Sequence, residues 1–173
     1  MKKITLLLFI FFGFSYSQNL TVESGGTLTI EKTGAVTVSG NFSNSGTVTM
    51  NSDADEFSSI KISGTTSGNV TYNRFVNYAA SGEWDLIGSP VDGLSISSFV
   101  STNTSGTATL ATSGSAYAVG YYDNSTDTWT NYTTGTVGGA GNFDIGKGYQ
   151  MGTVSGGTQI LAFTGTISSS DET

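Results

Sequence analysis

The chain has 173 residues, with no Cys, no His, one Pro, 27 Thr, 25 Ser and 24 Gly, and its 6 basic and 13 acidic residues give a net charge of −7. Without Cys there is no disulfide scaffold, thiolate metal site or Cys nucleophile, and without His there is no Ser-His-Asp triad or His-ligated zinc. So few cations in an acidic chain also exclude a nucleic-acid surface.

Residues 1–17 read as a secretory signal. Lys2 and Lys3 form a positive start, Leu6-Leu-Leu-Phe-Ile-Phe-Phe12 an apolar centre, and Ser15-Tyr16-Ser17 a small-residue cleavage site before Gln18. The apolar run is shorter than the ~20 residues of a membrane span. No Cys follows it to carry a lipid. The expectation is a secreted or bacterial cell-surface protein, mature over 18–173, with no membrane span after cleavage. Loss of two lysines makes the mature chain more acidic still, which favours solubility and identifies no partner.

Residues 18–64 repeat a short pattern. Leu20-Thr-Val22, Leu28-Thr-Ile30, Val36-Thr-Val38, Val48-Thr-Met50 and Ile60-Lys-Ile62 are each apolar–polar–apolar, with Gly between them. Their starts lie 8, 8, 12 and 12 residues apart, and Phe42 falls midway in the first longer gap. Strands this short bury an apolar face only by stacking coil on coil, so a short β-solenoid, like a parallel β-helix, is expected. A meander of short hairpins is the competing arrangement. The Gly-rich interval 63–68 is expected to separate this section from the next.

From 69 to 168 the strands are longer and more aromatic. They are expected at 70–78, 83–89, 116–122, 128–133, 148–153 and 159–166, with a helical turn or two at 96–100 and surface loops at 101–115 and 134–142. Six strands in about 100 residues suggest a β-sandwich module, with a barrel as the alternative. The fold class is therefore all-β. The polar run 169–173 reads as the start of a linker.

An ordered set of motifs now carries a family resemblance. Tyr72-Asn-Arg-Phe-Val76, Trp84-Asp-Leu-Ile-Gly-Ser-Pro-Val91, Ile96-Ser-Ser-Phe99, Gly146-Lys-Gly-Tyr149 and Phe163-Thr-Gly-Thr166 follow one another. The chain resembles modules of large extracellular bacterial proteins exported by the type IX secretion system, and the repeat section resembles what precedes such modules. One departure is local: Glu83 stands where the family usually has Gly before the Trp. The resemblance implies an exported, surface-attached or released multidomain protein. It implies no reaction, because such modules accompany adhesins and enzymes alike. It also implies a C-terminal sorting domain, so the 173 residues are expected to be the N-terminal part of a longer chain.

Three constellations are candidates for chemistry. Glu83 and Asp85 sit two apart on an expected strand and so on one face, as a glycosidase pair requires, but they read more simply as a solvated face opposite a buried Trp84 and Leu86. In Asp123-Asn-Ser-Thr-Asp127, the oxygens of Asp123, Ser125 and Asp127 have the alternate spacing of Ca²⁺ loops. A polar hairpin turn is the reading that the low carboxylate count favours. Calcium is the one cofactor with any candidate ligands. Tyr122, Trp129 and Tyr132, with Tyr121 and Tyr149 nearby, form a candidate platform for stacking sugar rings, against the ordinary role of strand aromatics as cross-strand pairs. Gly138-Gly-Ala-Gly141 is no phosphate loop, since no Lys-Ser/Thr follows.

The function expected from the sequence is a non-catalytic extracellular module, a stalk, spacer or adhesin, monomeric within a longer chain. The alternative is a carbohydrate-binding accessory module of a secreted enzyme, with polysaccharide or another cell-surface ligand as partner.

Overall fold

The computed structural model describes residues 18–105 and 109–168. The expected signal at 1–17 and the expected linker at 169–173 lie outside the described residues.

The first eight strands are β1 (Leu20–Val22), β2 (Thr27–Ile30), β3 (Ala35–Val38), β4 (Phe42–Asn44), β5 (Thr47–Asn51), β6 (Ser59–Ile62), β7 (Thr66–Ser67) and β8 (Val70–Phe75). They pair in three columns, β1-β4-β7, β2-β5-β8 and β3-β6, and every one of these pairings is parallel. Hairpins pair antiparallel, so the meander is not what forms: the chain advances by coils of three strands.

The register shows why. Leu20 stacks on Phe42, Ile30 on Met50 and Met50 on Tyr72, while Val36 and Val38 stack on Ile60 and Ile62. Val22, Ile30, Val38, Phe42, Val48, Met50, Val70 and Tyr72 are buried, and the alternate Thr, Ser and Lys point to solvent. Burying one such aliphatic side chain contributes roughly 1.5–3 kcal/mol, which no strand of three or four residues gains alone.

Polar side chains stitch coil to coil. Asn19 Oδ1 accepts the Asn41 backbone N–H at 2.8 Å, and Asn41 Oδ1 accepts that of Thr65 at 2.9 Å. The acidic excursion between β5 and β6 is held by Lys32, which pairs with Asp53 and, at 3.4 Å, with Glu56.

Two expectations change here. Phe42 opens a strand of its own and is almost fully buried. The interval 63–68 is not a plain break: it contains β7, stacked on β4. The next strand, β8, lies between β5 on one edge and β14 (Ile160–Gly165) on the other, antiparallel to β14. The sheet β14-β8-β5-β2 therefore runs through the place where the two patterns meet.

A second sheet has the order β10-β11-β13-β9, with β12 also on β11. Its strands are β9 (Asp85–Ile87), β10 (Thr112–Ser113), β11 (Ala116–Asp123), β12 (Thr128–Thr133) and β13 (Tyr149–Met151). Neither sheet closes into a barrel. Between β9 and β10 runs α1 (Ile96–Asn103), longer than the expected turn at 96–100. Ser95 caps it, its Oγ accepting the Ser98 N–H at 3.1 Å. Ile96, Phe99, Val100 and Asn103 form its buried stripe, at the i, i+3, i+4, i+7 spacing of one helix face.

Phe99 joins the elements into one core. Its ring lies 4.7 Å from Phe163 of β14 and 5.2 Å from Phe143, and Phe143 packs edge-on to Tyr149 of β13 at 4.8 Å. Buried residues of the coils, α1 and both sheets belong to this one cluster. The expected surface loop 101–115 is only partly one. It contains the last turn of α1, and Asn103, Thr109 and Leu110 are buried.

Candidate functional site

The second sheet has a dry face and a wet one. On the inner face Ile87 lies opposite Tyr149, and Met151 opposite Val119, all four buried. Residues in direct register share a face. The outer face is therefore read off the next row: Leu86, Gln150, Gly120 and Asn131 stand opposite one another across β9, β13, β11 and β12.

Gln150 Nε2 donates to Asn131 Oδ1 at 2.5 Å, spanning β11 at Gly120. A Cβ on Gly120 would sit 2.5 Å from that same oxygen, so the amide bridge requires glycine beneath it. The bridge also fixes the Asn131 amide, whose Nδ2 has no hydrogen-bond partner among the described residues.

Two positions along the same strands, Tyr122 faces Trp129 in register, with ring centroids 5.3 Å apart in an edge-on pair. Tyr122 is 37% exposed and Trp129 44%. The Tyr122 hydroxyl donates to the Asp127 carboxylate, which raises its pKa. At the opposite edge of the face, Leu86 is 67% exposed and Trp84 38%. Four large apolar side chains thus stand on or beside one open sheet face.

This placement corrects the expected burial of Trp84 and Leu86. The alternation of β9 runs the other way: Ile87 enters the core, and Asp85 shares its side. Asp85 tolerates the half-buried position because its carboxylate accepts the Asn77 backbone N–H at 2.7 Å and the Asn77 side-chain amide at 3.1 Å. Glu83 precedes the strand and is exposed. The two carboxylates are not a facing pair on one strand, and Asp85 serves the backbone of Asn77.

Tyr132 is separated from the other two expected stacking residues. It is three residues from Trp129 on β12, which puts it on the opposite face. There it packs against Tyr121, centroids 5.5 Å apart. Burial, reinforced by Tyr149, Tyr121 and Asp144, pushes its pKa up to about 12. The unfolded-state phenol ionises near 10.0, so the folded chain holds this proton longer. Its stabilising effect is complete below pH 10 and is lost as pH rises toward 12. Alkaline titration of phenolate absorbance is expected to show a late phase near that value, absent from Tyr132→Phe. A titration that Tyr132→Phe leaves unchanged would contradict the burial of this ring.

The loop 123–127 forms a hairpin turn between β11 and β12. Asp123 Oδ1 accepts the Ser125 N–H at 2.9 Å and the Ser125 hydroxyl at 2.7 Å. These bonds to Ser125, hydroxyl first, lower the Asp123 pKa. Asp127 adopts a positive φ of 55° and accepts from Tyr122. The oxygens that suggested a Ca²⁺ loop are engaged in the turn itself. Among the described residues no group of three or more acidic side chains could hold a metal ion.

A groove of about 630 Å³ opens beside the outer face. Trp84 and Tyr117 line it with Asn131, Leu110, Ser113 and Thr153, and among the described residues no charged side chain lines it. The sequence alone did not bring these residues together. Trp84 was the available signal, and its expected burial hid it.

No protein-family model matches the chain, and neither a curated protein nor a solved structure matches it. Among the described residues no helix is long and apolar enough to cross a membrane.

Proposed function

We propose that this chain is a non-catalytic extracellular module of a secreted or bacterial cell-surface protein, a stalk, spacer or adhesin that acts by contact through the outer face of its second sheet. The observation that carries the reading is that face: Trp84, Leu86, Tyr122 and Trp129 are exposed on or beside a hydrogen-bonded sheet whose other side buries Ile87, Val119, Tyr149 and Met151 in the core. Large exposed apolar patches on a rigid support mark interaction sites. The signal-like residues 1–17 and the resemblance to type IX-exported modules support the location. The stacked coils suit a spacer, since coils extend along one axis. Protease shaving and antibody labelling of intact cells test this reading. The protein is expected to be accessible from outside, and confinement to the cytoplasm would overturn it.

A second reading, a carbohydrate-binding accessory module, is favoured by one specific feature. The Tyr122–Trp129 pair lies beside the Gln150–Asn131 amide bridge, which combines stacking rings with hydrogen-bonding amides. Pull-down on insoluble cellulose, chitin and mannan tests it. Retention on one of them, reduced by Trp129→Ala, is expected; equal recovery of both proteins from all three would remove it.

A further inference from the structure

We infer that the groove beside Trp84 is a binding site for one unit of an uncharged glycan. The inference rests on the carbohydrate reading and deepens it, moving the sugar from the Tyr122–Trp129 pair to the groove. Size is the first argument. About 630 Å³ lies within the range of small-molecule sites, roughly 300–1,000 Å³.

Chemistry is the second argument. The chain is acidic, yet among the described residues no charged side chain lines the groove. A charged ligand would find no countercharge there, and leaving an ion unpaired in a cleft is costly. The lining does offer uncommitted polar groups. The Trp84 indole N–H, the Tyr117 hydroxyl and the Asn131 Nδ2 make no hydrogen bond among the described residues. A sugar hydroxyl both donates and accepts, so it satisfies an indole N–H, an amide and a phenol equally well. An apolar peptide side chain would leave all three unpaired.

Pre-organisation is the third. The Asn131 amide is held by Gln150 at 2.5 Å, and the floor is set by Thr153, whose hydroxyl is committed to the Val76 and Asn77 carbonyls at 2.9 Å. Binding therefore orders few side chains, and that saving favours affinity. The half-exposed indole supplies the flat apolar surface on which a sugar ring rests.

The chain has two tryptophans, which makes the test direct. In Trp129→Phe, fluorescence reports on Trp84 alone; in Trp84→Phe, it reports on Trp129 alone. The probes are cellohexaose, maltohexaose, mannohexaose and xylohexaose, with trigalacturonate as the anionic control and a Leu/Phe-rich neutral nonapeptide as the apolar one. A saturable change is expected in Trp129→Phe with at least one neutral hexaose and with neither control. Adding Tyr117→Phe, which removes only a hydroxyl, is expected to weaken it roughly tenfold, the scale of a lost hydrogen bond. A response confined to Trp84→Phe would overturn the groove while leaving a sugar site at Trp129. Silence of both variants toward every hexaose would overturn the groove and the carbohydrate reading together. A response to the peptide or to trigalacturonate alone, or one untouched by Tyr117→Phe, would also overturn the groove.

Discussion

Replacing Asn103 by Leu is expected to cost roughly 2–5 kcal/mol, although the two side chains have the same number of heavy atoms and branch alike at Cγ. Asn103 stands at the end of α1, almost fully buried, beside the edge of β14 that β8 does not occupy. Its Nδ2 donates to the Phe99 carbonyl at 2.8 Å and the Ala162 carbonyl at 3.0 Å, and its Oδ1 accepts the Ala162 N–H at 2.8 Å. One side chain thus replaces a neighbouring strand at Ala162. Leucine leaves both Ala162 groups unpaired in a part-buried position, and each orphaned buried group costs about 1–3 kcal/mol. Asn103→Asp keeps the acceptor for Ala162 N–H but sets a carboxylate against two carbonyl oxygens. Its stability is expected to rise on acidification, as the protonated form regains a donor. Thermal melts of the two variants across pH 4–8 check both statements. A Leu variant that melts with the parent chain would show that the bridge contributes nothing.

Asn103 also shows where the sequence stopped being legible. Apart from Asn103 and Leu110, the stretch 101–115 is built of Ser, Thr, Gly and Ala, a composition shared by loops and by this helix end. Nothing in it marks that its one asparagine turns inward. The coils were far more legible, because stacking depends on local side chains: Leu28-Thr-Ile30 and Val48-Thr-Met50 carry their inside and outside in three letters. The first longer spacing concealed β4, and the Gly-rich interval 63–68 concealed β7. Phe42 was the visible trace of the first, while Thr66–Ser67 has no apolar residue to announce a strand.

The outer face was half legible for a different reason. Alternation assigns residues to two sides of a strand but does not say which side meets the core. In β9 both sides are apolar or capable of hydrogen bonding, so Trp84 and Leu86 looked like core. The choice is made by partners far along the chain, Tyr149 and Met151 opposite Ile87 and Asp85. The same ambiguity grouped Tyr132 with Tyr122 and Trp129, although the odd spacing from Trp129 places it behind the sheet. Gly120 shows the converse. Nothing in the sequence singles it out, and in the fold it makes room for the amide bridge beside the groove.

The coil section and the second sheet are expected to unfold together, and a pair of glycines tests this. Gly25 and Gly68 have nearly the same left-handed backbone, φ +81° and +80°. A Cβ on Gly25 would meet nothing within 4 Å, whereas one on Gly68 would lie 2.0 Å from the Asn44 carbonyl oxygen of the coil below. Gly25→Ala is expected to cost only the left-handed penalty, about 1–2 kcal/mol. Gly68→Ala adds the displacement of one coil from the next, an overpacking cost of roughly 1–3 kcal/mol more. Asn44 resists that displacement, since its Oδ1 accepts the Gly46 N–H at 2.9 Å and its Nδ2 donates to the Asn69 carbonyl at 2.5 Å. Because β8 begins two residues after Gly68 and carries β14 on its other edge, the damage reaches the core around Phe163. One cooperative transition, shifted further in Gly68→Ala than in Gly25→Ala and equally by far-UV and tryptophan signals, is the expected result. Both tryptophans lie on or beside the second sheet, so a Gly68→Ala melt in which the far-UV signal falls first, with tryptophan fluorescence unmoved, would show that the coils melt alone.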